Sequence, residues 1–152
     1  MSEQIVFAAP YKVYKSNAAA QFMVIKPRVE NGKVVKEGAI LLEASKASGN
    51  KSYDWKNKIS FAIGIQDLKL LFSDVMSPPR LVHQTPNSPL MKSLEFQPGT
   101  GKYEGTYMLK LGQKNSSTND TSLITVPLTG GEKDLLFRMM DKFTLNMLGW
   151  VS

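Results

Sequence analysis

The sequence predicts an α+β domain built as ββββα twice over. Three observations carry that reading. Apolar and polar residues alternate along much of the chain, the mark of strands with one covered and one wet face. Twice the period lengthens to that of a helix, after Ile65 and after Thr129. The two stretches so formed are of similar length and repeat a pattern rather than residues. At 152 residues the chain suits a single domain with a real core. Residues 1–10 read as an N-terminal segment and 11–152 as the domain.

Tyr11 to Lys15 opens a ribbon that kinks near Ser16-Asn17. Ala18 to Lys26, with β-branched and aromatic residues, is a strand leading into the turn Asn31-Gly32, whose residues both tolerate positive φ. Gly38 to Lys46 is the next strand. Tyr53 to Ile63 is another, apolar or aromatic mostly at odd positions. Unbroken alternation places Tyr53, Trp55 and Phe61 on one face and Lys56 and Lys58 on the other. Ile65, Leu68, Leu71, Phe72 and Val75 then fall at helical spacing, with Asp67 near the positive N-terminal end. Pro78-Pro79 stops that helix.

The second half repeats the theme. Arg80 to Gln84 and Leu90 to Gln97 are strands, and Pro98-Gly99-Thr100-Gly101 turns the chain. Tyr103, Tyr107, Leu109 and Leu111 alternate with Glu104, Thr106 and Lys110. Gln113 to Thr121 lacks any apolar residue and predicts a loop. Leu123 to Leu128 is the last strand. Thr129-Gly130-Gly131-Glu132 fits a capping box, in which hydroxyl and carboxylate satisfy each other's free amides. The helix behind it carries Leu136, Met139, Met140, Phe143, Met147 and Trp150 on an apolar stripe, and Gly149 is placed to end it.

Composition narrows the function. The absence of cysteine removes disulfides, thiolate metal sites and cysteine nucleophiles together. The net charge is +6, with 11 basic against 7 acidic residues over 1–76 and 8 against 6 over 77–152. A charge spread this way attracts a polyanion at long range. No apolar run approaches the roughly 20 residues that span a bilayer, so no membrane partner is expected. Met1 to Pro10 has neither a basic start nor an apolar core, so the chain reads as cytoplasmic and not secreted. His83 is the sole histidine, and no zinc-protease, phosphate-loop, dinucleotide or serine-hydrolase motif is present. No catalytic residue, metal site or cofactor is expected, and the chain does not read as an enzyme.

Basic and aromatic residues interleaved on strands are the informative signal. Lys51, Tyr53, Trp55, Lys56 and Lys58 share one segment; Tyr103, Tyr107 and Lys110 share another, with Lys92 between. A flexible single strand exposes phosphates to lysines and base faces to rings, at about 1–3 kcal/mol per stacked base. The competing account is that the aromatics are core, and alternation requires this of part of them.

Tyr53-Asp54-Trp55, followed by Lys56, Lys58 and Phe61-Ala62-Ile63, resembles the YDW…FAL signature of the Whirly family of single-stranded DNA-binding proteins. Lys15-Ser16-Asn17-Ala18-Ala19-Ala20 sits where that family has its KGKAAL motif. His83, Lys92 with Leu94 and Pro98, Val126-Pro127-Leu128 with Glu132, and Leu148-Gly149-Trp150 match further positions in order, so the likeness spans about residues 13–151. It implies two four-stranded antiparallel sheets packed nearly perpendicular, with the helices joining four protomers. It also implies single-stranded DNA bound along the sheets with little sequence preference, serving replication, recombination or repair. On the single-strand-binding reading, the expected nucleic-acid-binding residues are Lys15, Lys56, Lys58, Lys92 and Lys110 for electrostatics and Tyr14, Tyr53, Trp55 and Tyr107 as stacking or supporting residues, with Asn17. The oligomer-forming ones are Leu136, Met140, Phe143, Met147 and Trp150. The motif has lost its glycine and second lysine to Ser16 and Asn17, which favours a tetramer over larger assemblies. Plant members of the family carry a transit peptide, and its absence here points to a bacterial or bacteriophage relative. RNA annealing on the same fold, or a purely structural role, are the alternative readings.

Overall fold

The strand predicted over Tyr53 to Ile63 is two strands, and the break between them decides which aromatics face solvent. The structure, a computed structural model, describes residues 10–150, so the N-terminal segment lies almost wholly outside the described residues. β1 (Tyr11–Tyr14) and β2 (Ala18–Ile25) form a hairpin across the Lys15–Asn17 turn. β3 (Arg28–Glu30) and β4 (Lys33–Lys36) make a small exposed hairpin over Asn31 (φ 53°) and Gly32 (φ 75°), as the Asn-Gly signal predicted. β5 (Ala39–Gly49) pairs with β2 on one edge. Its other edge takes β6 (Ser52–Tyr53) and then β7 (Ile59–Ile63), antiparallel and end to end. The first sheet thus has five strands in four lateral positions.

Register explains the break. Tyr53 lies opposite Ala47, and Ile59 lies opposite Ala44. From 53 to 59 the chain advances six residues while β5 retreats three, from 47 to 44, so three residues are in excess. Trp55–Asn57 take up the excess as a 3-10 turn, with Asn57 donating its side-chain amide to the Asp54 carboxylate at 2.8 Å. An odd excess reverses the faces on either side of it. Tyr53 therefore shares the outer face with Ala47, whereas Ile59, Phe61 and Ile63 point into the core with Ala44 and Leu42. The expectation that Tyr53 and Phe61 share a face is corrected on this ground.

α1 (Ile65–Leu71) follows, and it stops well short of Pro78-Pro79. Ser73 bonds back to the Leu70 carbonyl at 2.6 Å, and the Asp74 carboxylate accepts from the Met76 and Ser77 amides. These short side chains offer the backbone partners outside the helix, and Val75 is left in the loop. The second sheet is a meander of β8 (Leu81–Gln84), β9 (Leu90–Pro98), β10 (Tyr107–Asn115) and β11 (Thr121–Leu128), ordered β11-β10-β9-β8. The loop expected over Gln113 to Thr121 is shorter, because Gln113 pairs with Ser122 and Lys114 with Thr121. The ladder runs on past the core, where a strand needs no apolar side chain.

The inner faces of the two sheets meet in one core. β7 lies against β9 and β10, and β11 against β2 and β5, so strands of one sheet run across several of the other. Phe61, Leu42 and Ile63 from the first sheet and Phe96, Leu94, Leu109 and Leu111 from the second are fully buried. α2 (Gly130–Met147) closes one side. Its capping box forms as predicted, with Thr129 N donating to Glu132 Oε1 at 2.9 Å and Glu132 N to Thr129 Oγ1 at 3.1 Å. Gly149, at φ 79°, ends it. Among the described residues, no helix is long and apolar enough to cross a membrane.

Lys133, only 2% exposed, is the unexpected member of this core. Its ammonium donates to the Val75 carbonyl and lies 4.7 Å from the Tyr107 ring centre and 4.2 Å from that of Phe137. Burial pushes its pKa below the ordinary lysine value. Tyr107 OH donates to the Met76 carbonyl at 3.0 Å. Together these two side chains fasten the loop after α1 to α2 and to the start of β10.

Candidate functional site

The outer face of the first sheet is where the predicted residues converge. Val13 points into the core, so its neighbour Tyr14 points out. Across the sheet Tyr14 is level with Ala19 and then Ser45, both small and fully buried. The Tyr14 and Tyr53 rings lie 5.5 Å apart, and Tyr53 OH donates to the Lys15 carbonyl at 2.6 Å. Trp55, at the start of the 3-10 turn, completes an open cleft of about 520 Å³ lined also by Lys51 and Ser52. Tyr14 is 54% exposed, so its ring is accessible.

Charge on this face is partly tied down. Lys58 Nζ lies 2.8 Å from Glu43 Oε2, which also accepts from Ser60 Oγ at 2.9 Å; Gln21 donates to Oε1 at 2.9 Å. Burial pushes the Glu43 carboxyl up, but the bonds from Lys58, Gln21 and Ser60 and the Lys58 charge outweigh it and hold the pKa below the usual value. Lys51 and Lys56 are exposed and have no carboxylate partner among the described residues. Asn17, also exposed, sits in the adjoining turn, and its carbonyl accepts from the Ala47 amide at 3.0 Å.

Tyr14, Asn17, Tyr53, Trp55, Lys56 and Lys58 are thus brought to one region. Lys15 is not presented with them: its ammonium reaches Glu132 at 2.7 Å, on the helix side of the turn. Tyr107 is 7% exposed and part of the core, so it has no ring face to offer a base. Lys110 stands on the outer face of the second sheet, level with Glu95 and Thr125. Lys92 is level with His83 and Gln113 at the opposite face of that sheet. His83 bonds to Asp67 at 2.8 Å and stacks on Phe61 at 4.1 Å between ring centres. Among the described residues, no group of three or more His, Cys, Asp or Glu could hold a metal ion.

Sequence reading missed Glu43, Gln21 and Ser60. Each stands on a different strand, so only pairing brings them together. Lys51 had a signal: Gly49-Asn50 announces a turn, and Lys51 takes φ 61° within it. On α2, Leu136, Met140 and Met147 are at most 1% exposed and pack inward, so they have no surface to offer a second copy. Phe143 is half-buried, and Trp150 is 75% exposed. Leu135 and Leu145 are the exposed apolar residues that the stripe did not include.

Residues 13–139 match the family described as Whirly transcription factor. The chain is 25% identical over 162 aligned residues to the chloroplastic single-stranded DNA-binding protein WHY3 of Arabidopsis thaliana, covering 95% of this chain and 58% of that protein. It is 23% identical to the mitochondrial single-stranded DNA-binding protein WHY2 of the same plant, covering 93% of this chain and 63% of that one. The chain thus spans about three-fifths of the length of these relatives. The crystal structure of WHY3 from Arabidopsis thaliana superposes with a TM-score of 0.84 at 23% identity, over 97% of this chain and 92% of that one. That of the plant transcriptional regulator PBF-2 gives 0.83 at 23% identity, over 97% and 86%. The fold is therefore that of these proteins. Relatives from plant organelles give no support to a bacterial or bacteriophage origin.

Proposed function

Because the chain belongs to the Whirly family, we propose that it binds single-stranded DNA on the outer face of the first sheet, with little preference for sequence, in replication, recombination or repair. The observation that carries this reading is the outward cluster of Tyr14, Tyr53 and Trp55 with Lys51 and Lys56 beside it. Rings stack on unpaired bases whatever their identity, at about 1–3 kcal/mol per base. A duplex hides those faces, which gives the preference for single strands. Lys51 and Lys56 attract phosphate at the rim, while Glu43 holds Lys58 in place and offsets its charge. The relatives named above are single-stranded DNA-binding proteins, which supports the same ligand here.

The test is a titration of fluorescent oligo-dT against a duplex of equal length. The single strand binds more tightly, and log K falls linearly with log salt at about 0.7 per phosphate contacted. Equal affinity for both, or no salt dependence, rejects the reading. Oligo-U as competitor decides between DNA and RNA, because an RNA reader uses the 2′-hydroxyl. The oligomer in this reading is a tetramer joined through the helices. Exposed Leu135, Leu145 and Trp150 support it, as does an apolar cavity of about 340 Å³ between Tyr11, Phe22 and Ile40 of the first sheet and Met139 and Phe143 of α2. Native mass spectrometry of Leu145→Glu with Trp150→Glu then shows a smaller species than wild type.

A further inference from the structure

We infer that Lys15 is a positioning residue for this face, building it from behind instead of touching the strand; the inference rests on the single-strand reading above. Lys15 stands in the β1–β2 turn, and its two ends do different things. Its carbonyl accepts the Tyr53 hydroxyl at 2.6 Å, which fixes the ring that stands beside Tyr14. Its ammonium pairs with Glu132 at 2.7 Å, and the Lys15 side chain is 25% exposed. Glu132 is at the same time the acid of the α2 capping box. Burial pushes the Glu132 carboxyl up, but bonds from Lys15 and Thr129 and the Lys15 charge hold it below the usual value. The turn is pinned at a third point by the Ala47 amide on the Asn17 carbonyl. The ring of Tyr53 is therefore held by a chain of contacts that ends at the first turn of α2. A lysine that already neutralises a carboxylate on the helix side adds no free cation to the outer face.

The two roles give opposite signs at Glu132. If Lys15 contacts phosphate, Glu132→Gln removes a competing negative charge and tightens binding. If Lys15 positions Tyr53, Glu132→Gln loosens the turn and weakens binding, although glutamine still serves the capping box. The experiment measures oligo-dT affinity against salt for wild type, Lys15→Met, Lys15→Arg and Glu132→Gln, with Val126→Ala as a destabilised control in the second sheet. Lys15→Met and Glu132→Gln each lose about fivefold, the order of one weakened hydrogen bond, with the wild-type salt slope. Lys15→Arg restores affinity, and Val126→Ala keeps it. Tighter binding by Glu132→Gln, unchanged affinity in Lys15→Met, or a salt slope lowered by about one contact in Lys15→Met overturns the inference. Amide exchange at Ala47 in the ligand-free protein gives a readout independent of DNA: Lys15→Met speeds it, and an unchanged rate overturns the inference. Wild type that ignores oligo-dT rejects the single-strand reading itself, and the Ala47 exchange still decides the role of Lys15.

Discussion

The two halves of the molecule are built alike at their helices and differently at their fourth strands. Each helix carries in its first turn an acid that accepts the amide of the residue before the helix and reaches the first strand, or the turn that ends it, in the opposite sheet. Asp67 of α1 accepts the Gly64 amide at 2.9 Å and meets His83 of β8 at 2.8 Å. Glu132 of α2 accepts the Thr129 amide and meets Lys15, just past β1. Each helix therefore follows one sheet in sequence and is tied to the other in space, which locks the halves around one core. The fourth strands part company. β11 runs unbroken along β10, whereas β6 and β7 are separated by three excess residues. That interruption turns Tyr53 outward and sets Trp55 beside it. On the second sheet the strand residues facing out include Val82, Ser93, Gly112, Glu95, Lys110 and Thr125, none of them aromatic. One repeat thus carries the candidate site, and the other serves mainly as its support.

The largest effects test whether the halves share a core. Phe61→Ala and Phe96→Ala each remove a fully buried ring and cost about 3–5 kcal/mol in denaturant unfolding. Both should lower the midpoint of a single transition seen alike by fluorescence and circular dichroism. Two separate transitions break the picture of interlocked halves. Next comes the asymmetry of the outer faces. Tyr14→Ala or Trp55→Ala lowers oligo-dT affinity about tenfold, within the 1–3 kcal/mol of one stacked base. Lys110→Ala on the second sheet changes it by no more than about twofold, the range of an exposed charge. Equal losses on both sheets dissolve the distinction between site and support.

Acid sharpens the comparison through Glu43. Its folded pKa is depressed, so its stabilising contribution is present above the unfolded carboxylate value of about 4.3 and is lost as pH falls through the folded one. Denaturation measured from pH 6 down to pH 3 shows stability falling below about pH 4.3. Glu43→Gln flattens that limb, and an unchanged slope locates the acid sensitivity elsewhere. The smallest effects lie at the caps. Thr129→Ala costs about 1 kcal/mol of stability, because its hydroxyl serves the Glu132 amide. Gly64 has no side chain to offer, and an added Cβ there meets Asp67 Oδ2 at an ordinary 3.7 Å. Gly64→Ser therefore gains only a few tenths of a kcal/mol, near the limit of a thermal melt.

Much of the fold was legible because it is local. Alternation located the strands, Asn31-Gly32 the exposed hairpin, and Thr129 with Glu132 the start of α2. Each rests on residues within a few positions of one another. The end of α1 was misplaced because Ser73 and Asp74 intervene before the prolines. The site was legible in part. Tyr53 and Trp55 stand out in the sequence by interleaved rings and charges, and they line one cleft with Tyr14 and Lys51. Lys15, Tyr107 and the inward residues of α2 were placed by type and motif, and burial or a distant partner reassigned them.

The sequence by itself determined the order of strands and helices, the caps and the basic, aromatic character of the Lys51–Lys58 segment. Only the tertiary structure decided which way those aromatics point. Tyr53 and Phe61 stand at positions of the same parity, and parity alone puts them together. Pairing with β5 consumes three residues fewer than the chain supplies, and that odd number sends Tyr53 to solvent and Phe61 to the core. Lys15 likewise looks like any lysine in a turn until α2 folds back from 117 residues away and gives it Glu132. A side chain's face is set by its partner strand, and the partner strand is not written beside it.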